Sequence, residues 1–112
     1  MNATSQLDID FLYWEDCPSH EQALARLREV LAEEGLEASI HVTRVETDTE
    51  AHELGFIGSP TLRVNGKDID PSPEDTQPAL TCRAYRLENG RISPLPSAEM
   101  IRSALRAVVK NP

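Results

Sequence analysis

Apolar and polar positions alternate near the start of the chain. Leu7, Ile9 and Phe11 are separated by Asp8 and Asp10, the period of two expected of a half-buried strand. Leu12, Tyr13 and Trp14 then run on without a polar break, as in an interior strand, so a strand is predicted over 7–14. From Pro18 the period lengthens. Leu24, Leu27 and Leu31, with Ala23 and Val30 beside them, form one stripe at helical spacing, while Glu21, Arg26, Arg28, Glu29, Glu33 and Glu34 take the other faces. The pattern predicts a helix over 18–34, with Pro18 suited to its first position and Gly35 to its end.

Residues 37–46 return to alternation and are rich in β-branched side chains. Ala38, Ile40 and Val42 share a face and Val45 breaks phase. The helix before this strand acts as a crossover, which makes it parallel to the first. Asp48 or Thr49 is expected to cap a short helix reaching Leu54 and ending at Gly55. Asn65-Gly66 lies between extended stretches, so residues 61–64 and 67–70 are predicted to pair antiparallel. Pro71, Pro73 and Pro78 mark 70–79 as a loop. A strand over 81–87, a turn at Asn89-Gly90 and a strand over 91–95 follow. Pro96-Ser97 opens a last helix with Ile101, Ala104, Leu105 and Val108 on its inner stripe. The order is βαβα-ββ-(β)-α: an α/β sandwich with two parallel and two antiparallel strand relations.

A length of 112 residues is the size of a single domain spanning 1–112. With only Phe11, Tyr13, Trp14, Phe56 and Tyr85 as aromatics, aliphatic side chains must fill most of the core. The net charge of −8 repels phosphates and anionic membrane surfaces, so neither nucleic acid nor membrane is an expected partner. Met1–Gln6 lacks the basic start and apolar core of a secretory signal, and no run approaches a membrane span. The expected compartment is the cytoplasm, where thiols are kept reduced, so the two cysteines read as reactive or incidental rather than as a staple.

Chemistry concentrates at the first strand-to-helix joint, Tyr13-Trp14-Glu15-Asp16-Cys17-Pro18-Ser19-His20. A helix start offers unpaired N–H groups that favour a thiolate at Cys17. Glu15 and Asp16 act against it, and a protonated His20 at i+3 would offset them. The plainer alternatives are a buried, inert cysteine and a solvated histidine. His41 and His52 read as surface residues. The acidic groups at 15–16, 33–34 and 68–75 read as solvated faces.

Two features together resemble the thioredoxin-like family: a strand running into Cys17-Pro18-Ser19-His20 at a helix start, and Gly58-Ser59-Pro60-Thr61 directly before a strand. The resemblance covers nearly the whole chain. It implies a three-layer sandwich with a central mixed sheet of about four strands and flanking helices. It also implies Cys17 as attacking thiol, lying against a cis-proline segment in which Ser59, Pro60 and Thr61 position a thiol or disulfide substrate together with Trp14 and Pro18. The substrate would be a protein or a low-molecular-weight thiol. The chain departs from the family at His20, where redox-active members carry a second cysteine, so a disulfide within the motif is excluded.

Resolution would then fall to Cys82 or to an external thiol. If residues 67–70 complete the hairpin, Cys82 can approach Cys17; if 81–87 is the partner of 61–64, it begins at the far end of the sheet. Both arrangements stay open, since a disulfide needs Cα atoms within about 7 Å. No cofactor is called for. A metal site from Cys17, His20 and Cys82 lacks the paired spacings of zinc ligands, so none is assigned. The leading expectation is a thiol-disulfide oxidoreductase. The alternatives are a non-catalytic binding module of the same fold and a soft-metal thiol protein with a looser resemblance to alkylmercury lyases, which need two thiols and a carboxylate on one metal.

Overall fold

The computed structural model describes residues 7–70 and 76–109. The amino-terminal stretch and the segment containing Pro71 and Pro73 lie outside the described residues. The elements are β1 (Leu7–Tyr13), α1 (His20–Glu33), β2 (Ala38–Arg44), α2 (Asp48–Leu54), β3 (Thr61–Val64), β4 (Lys67–Asp68), β5 (Tyr85–Arg86), β6 (Ile92–Ser93) and α3 (Ala98–Val109). The main sheet is mixed, in the order β2-β1-β3-β4. β1 runs parallel to β2 with Phe11 beside Val42, and antiparallel to β3 with Phe11 beside Leu62. Thus the sheet holds one parallel relation and two antiparallel ones, not two of each. β5 and β6 form a separate two-stranded ribbon.

The alternation along β1 divides the core into two. Leu7, Ile9 and Phe11 point to one face and pack with Ala23, Leu27, Val30 and Leu31 of α1 and Ile101 and Leu105 of α3. Leu12 has the opposite parity and packs with Val45, Ala51 and Phe56 under α2. Each fully buried aliphatic of this kind stabilises by about 1.5–3 kcal/mol. Val45 is buried in this second cluster, and its N–H donates to the Tyr13 carbonyl at 2.8 Å just after β2 ends. Val42, by contrast, is 47% exposed on the edge strand β2, so the inward face expected there is only partly covered.

Helix ends differ from expectation by small shifts with clear causes. α1 starts at His20 with Ser19 at its N-cap, so Pro18 precedes the cap instead of opening the helix. The cap of α2 is Thr47, whose side chain accepts from the Glu50 N–H at 3.1 Å, not Asp48 or Thr49. Gly55 ends α2 in a left-handed conformation, with φ of 66°. The carbonyls of Leu54 and Gly55 accept from the guanidinium of Arg63 at 2.9 and 3.0 Å.

The acidic pair at 33–34 is not simply a solvated face. Arg106 donates to both carboxylate oxygens of Glu34, at 2.8 and 3.1 Å, and Arg102 reaches Glu33 at 3.1 Å, joining α1 to α3. The hydrogen bonds from Arg106 hold the Glu34 carboxyl below its ordinary range. No helix among the described residues is long and apolar enough to cross a membrane.

Candidate thiol site

β1 ends at Tyr13 and the chain turns, with the Cys17 N–H donating to the Trp14 carbonyl at 3.0 Å. The turn drops Cys17 into the protein at 1% exposure. The loop before β3 comes to meet it. Ser59 and Pro60 are joined by a cis peptide bond. The Ser59 hydroxyl accepts from the Trp14 N–H at 3.0 Å, and its carbonyl lies 3.5 Å from Cys17 Sγ. The segment 79–83 then runs beside 56–59. The Ala79 N–H donates to Phe56 O, Ser59 N–H to Thr81 O and Arg83 N–H to Ser59 O, at 3.0, 2.7 and 2.9 Å. Ser59 and Cys82 are bridge partners in a parallel sense.

This path settles the two arrangements left open by the sequence. Lys67 pairs with Val64 to close the hairpin, and the chain returns to the Cys17 end. Cys17 and Cys82 are joined by a disulfide across 65 positions, with Cα atoms 5.8 Å apart. Their environments are unequal: Cys17 is buried and Cys82 is exposed. A cavity lined by Val64, Lys67, Ile69, Ala104 and Val108 opens at the other end of β3 and holds neither sulfur.

The remaining candidates fall in different places. Ser19 Oγ lies 3.7 Å from Cys17 Sγ and makes no hydrogen bond in the cap, which leaves it free to donate to sulfur. His20 instead stacks its ring on Tyr13, with centroids 4.5 Å apart. Pro18 is exposed on the turn, and Trp14 packs partly against the cluster under α2. Thr61 is buried, its hydroxyl donating to Gly58 O at 2.6 Å. Of the two anions beside the thiol, Glu15 is paired with Arg44 at 3.3 Å, so its opposition to a thiolate is reduced.

Arg83 and Tyr85 were not singled out by the sequence, yet they hold the site together. Arg83, 5% exposed, donates to both oxygens of Asp68 at 2.9 and 3.0 Å, to Asp70 O at 2.8 Å and to Thr61 Oγ1 at 3.3 Å. Its guanidinium lies over the Tyr85 ring, 4.5 Å from the centroid. Burial works against the charge, but the Asp68 hydrogen bond and the nearby carboxylates outweigh it and raise the Arg83 pKa above its ordinary value. The Tyr85 hydroxyl donates to Pro60 O. Burial pushes that phenol well above its ordinary range, so it stays a donor. Asp68, read as part of a solvated acidic stretch, is therefore the partner of a buried cation. The available signal was Arg83 within a stretch of strand-like residues, which the same pattern would show for a solvent-facing arginine.

Among the described residues no three His, Cys, Asp or Glu side chains converge as a metal site. Comparison with protein-family models, with curated proteins and with solved structures returned no match.

Proposed function

We propose that the domain is a thiol-disulfide exchange protein of thioredoxin-like fold, with Cys17 and Cys82 as its redox pair. The observation that carries this reading is the Cys17–Cys82 disulfide at the β1–α1 joint, beside the Ser59–Pro60 loop. Support for the fold comes from the sheet order β2-β1-β3-β4 with α1 and α3 against one face and α2 against the other. Support for exchange comes from the asymmetry of the pair: one sulfur sits in an exposed residue and the other is buried beside a hydroxyl donor. A hydrogen bond donated to the departing sulfur offsets the cost of burial and assists its departure, and a sulfur in an exposed residue is the more open to attack. The position of His20, stacked on Tyr13, gives it the role of packing the turn. In this reading Cys82, reaching Cys17 from beside Ser59, does the work of the missing motif cysteine.

The reading is tested by equilibrating the protein in glutathione buffers of graded ratio and following the fraction oxidised. An exchange pair titrates within the range of such buffers. A potential below about −300 mV, where structural cross-links lie, would refute it.

A further inference from the structure

We propose that exchange enters through Cys82 rather than Cys17, and that the partner is a low-molecular-weight thiol or disulfide rather than an extended peptide. The inference rests on the redox-pair reading above and assigns the order in which its two sulfurs act.

Attack on a disulfide proceeds in line with the S–S bond, so the nucleophile must approach one sulfur from the side away from the other. For Cys17 that side lies within the protein, since the residue is 1% exposed and its sulfur faces Ser59 O at 3.5 Å. For Cys82 the residue is exposed. A thiolate RS⁻ therefore bonds to Cys82 Sγ, the Cys17–Cys82 bond breaks, and its electron pair leaves on Cys17 Sγ. The departing thiolate stands 3.7 Å from Ser19 Oγ, whose hydroxyl can donate a hydrogen bond to it while keeping its proton, and the thiolate takes its proton from solvent. A second RS⁻ attacks the partner sulfur of the mixed disulfide, releasing RSSR and the Cys82 thiolate. Two thiols are oxidised and one protein disulfide is reduced. In the reverse direction Cys82 attacks RSSR, and Cys17 closes the ring by displacing RS⁻.

The class of partner follows from the backbone beside the sulfurs. A peptide that binds by strand addition needs a free N–H and C=O on the edge it joins. On the Ser59 edge, the one that faces Cys82, both such groups are taken, by Thr81 O at 2.7 Å and by the Arg83 N–H at 2.9 Å. No layer of chain fits between, because a Cβ on Gly58 would already meet the Arg83 backbone nitrogen at 3.0 Å. The Arg83 bonds to Asp68, Asp70 and Thr61 do not involve sulfur, so reduction leaves this edge filled. A long partner gains nothing there beyond what its sulfur provides.

The test uses the oxidised wild-type protein. It is mixed with excess 2-mercaptoethanol, quenched in acid at the shortest accessible times, alkylated with N-ethylmaleimide and mapped by peptide mass spectrometry. The expected product carries mercaptoethanol on Cys82 and maleimide on Cys17, in at least about tenfold excess over the reverse pattern. Mercaptoethanol on Cys17 would overturn the assignment while leaving the redox pair intact. No opening by any thiol would overturn both. In a second arm, Cys17→Ser and Cys82→Ser are treated with glutathione disulfide, and adduct formation is expected to be faster at Cys82. In a third, glutathione and a longer cysteine peptide are compared at matched thiolate concentration. A peptide faster by more than about tenfold would overturn the small-partner assignment.

Discussion

Arg83 and Asp68 meet through two parallel hydrogen bonds of 2.9 and 3.0 Å, one to each carboxylate oxygen, with the Arg83 side chain 4% exposed. The pair fastens the segment that carries Cys82 to strand β4, and so to the sheet. Removing one partner leaves the other charge buried. Asp68→Ala is expected to cost about 3 kcal/mol, toward the lower end for a buried pair because Asp68 keeps 16% exposure. Urea unfolding of the oxidised protein measures it. A loss under about 1 kcal/mol would show that the pair behaves like a surface contact.

Reduction should lower stability through the unfolded state. Closing 65 positions removes chain entropy equivalent to about 4 kcal/mol at 25 °C. Denaturation with and without reductant gives the difference directly, and Cys82→Ser is expected to abolish it. Because Arg83 fastens the same segment without sulfur, the reduced protein should still unfold cooperatively.

Gly58 has φ of +143°, where side chains are strained, and a Cβ there would press on the Arg83 backbone. Gly58→Ala is expected to destabilise by about 1–3 kcal/mol and to displace segment 81–83. The second effect separates it from a generic loss: opening of the disulfide by mercaptoethanol should change in rate as well.

Ser19 is expected to assist departure of the Cys17 thiolate. Ser19→Ala should slow opening of the disulfide about threefold, as for loss of a weak hydrogen bond, and Ser19→Thr should restore most of it. Equal rates in all three proteins would remove Ser19 from the site.

Glu34 gives a pH signature. Its folded pKa is depressed, chiefly by the Arg106 hydrogen bonds, so its stabilisation is present above the ordinary value of 4.5 and is lost as pH falls through the folded value. Glu34→Gln should therefore be less stable than wild type near neutrality, with the gap narrowing as pH drops below 4.5. A gap that persists undiminished in acid would assign the effect to packing.

The elements with strong periodicity could be read in advance. Leu7, Ile9 and Phe11 and the Leu24–Leu27–Leu31 stripe announce β1 and α1 because burial on one face leaves its period in the sequence. The strands expected over 81–87 and 91–95 shrink to Tyr85–Arg86 and Ile92–Ser93. The first half of that stretch is spent bridging Ser59, and no local pattern records so distant a partner. Contact between Cys17 and Cys82 depended on which way the chain returned after the hairpin, a question of path rather than of composition. Arg83 was invisible for a related reason, since what makes it buried is the position of Asp68, fifteen residues away.

The covalent ring closed by Cys17 and Cys82 contains α1, β2, α2, β3 and β4, while β1 and α3 lie on the two tails. In the oxidised protein the covalent path for a pull at the chain ends runs from β1 through the sulfur bridge to α3, so the backbone between the two cysteines is not drawn out, while β1 shears against β2 and β3. The chain from α1 to β4 then cannot extend, and the extension released by force is limited to the tails until a reductant cuts the bridge. The length of chain that force can release from this domain is therefore set by the state of one bond, whose Cys82 end lies in an exposed residue.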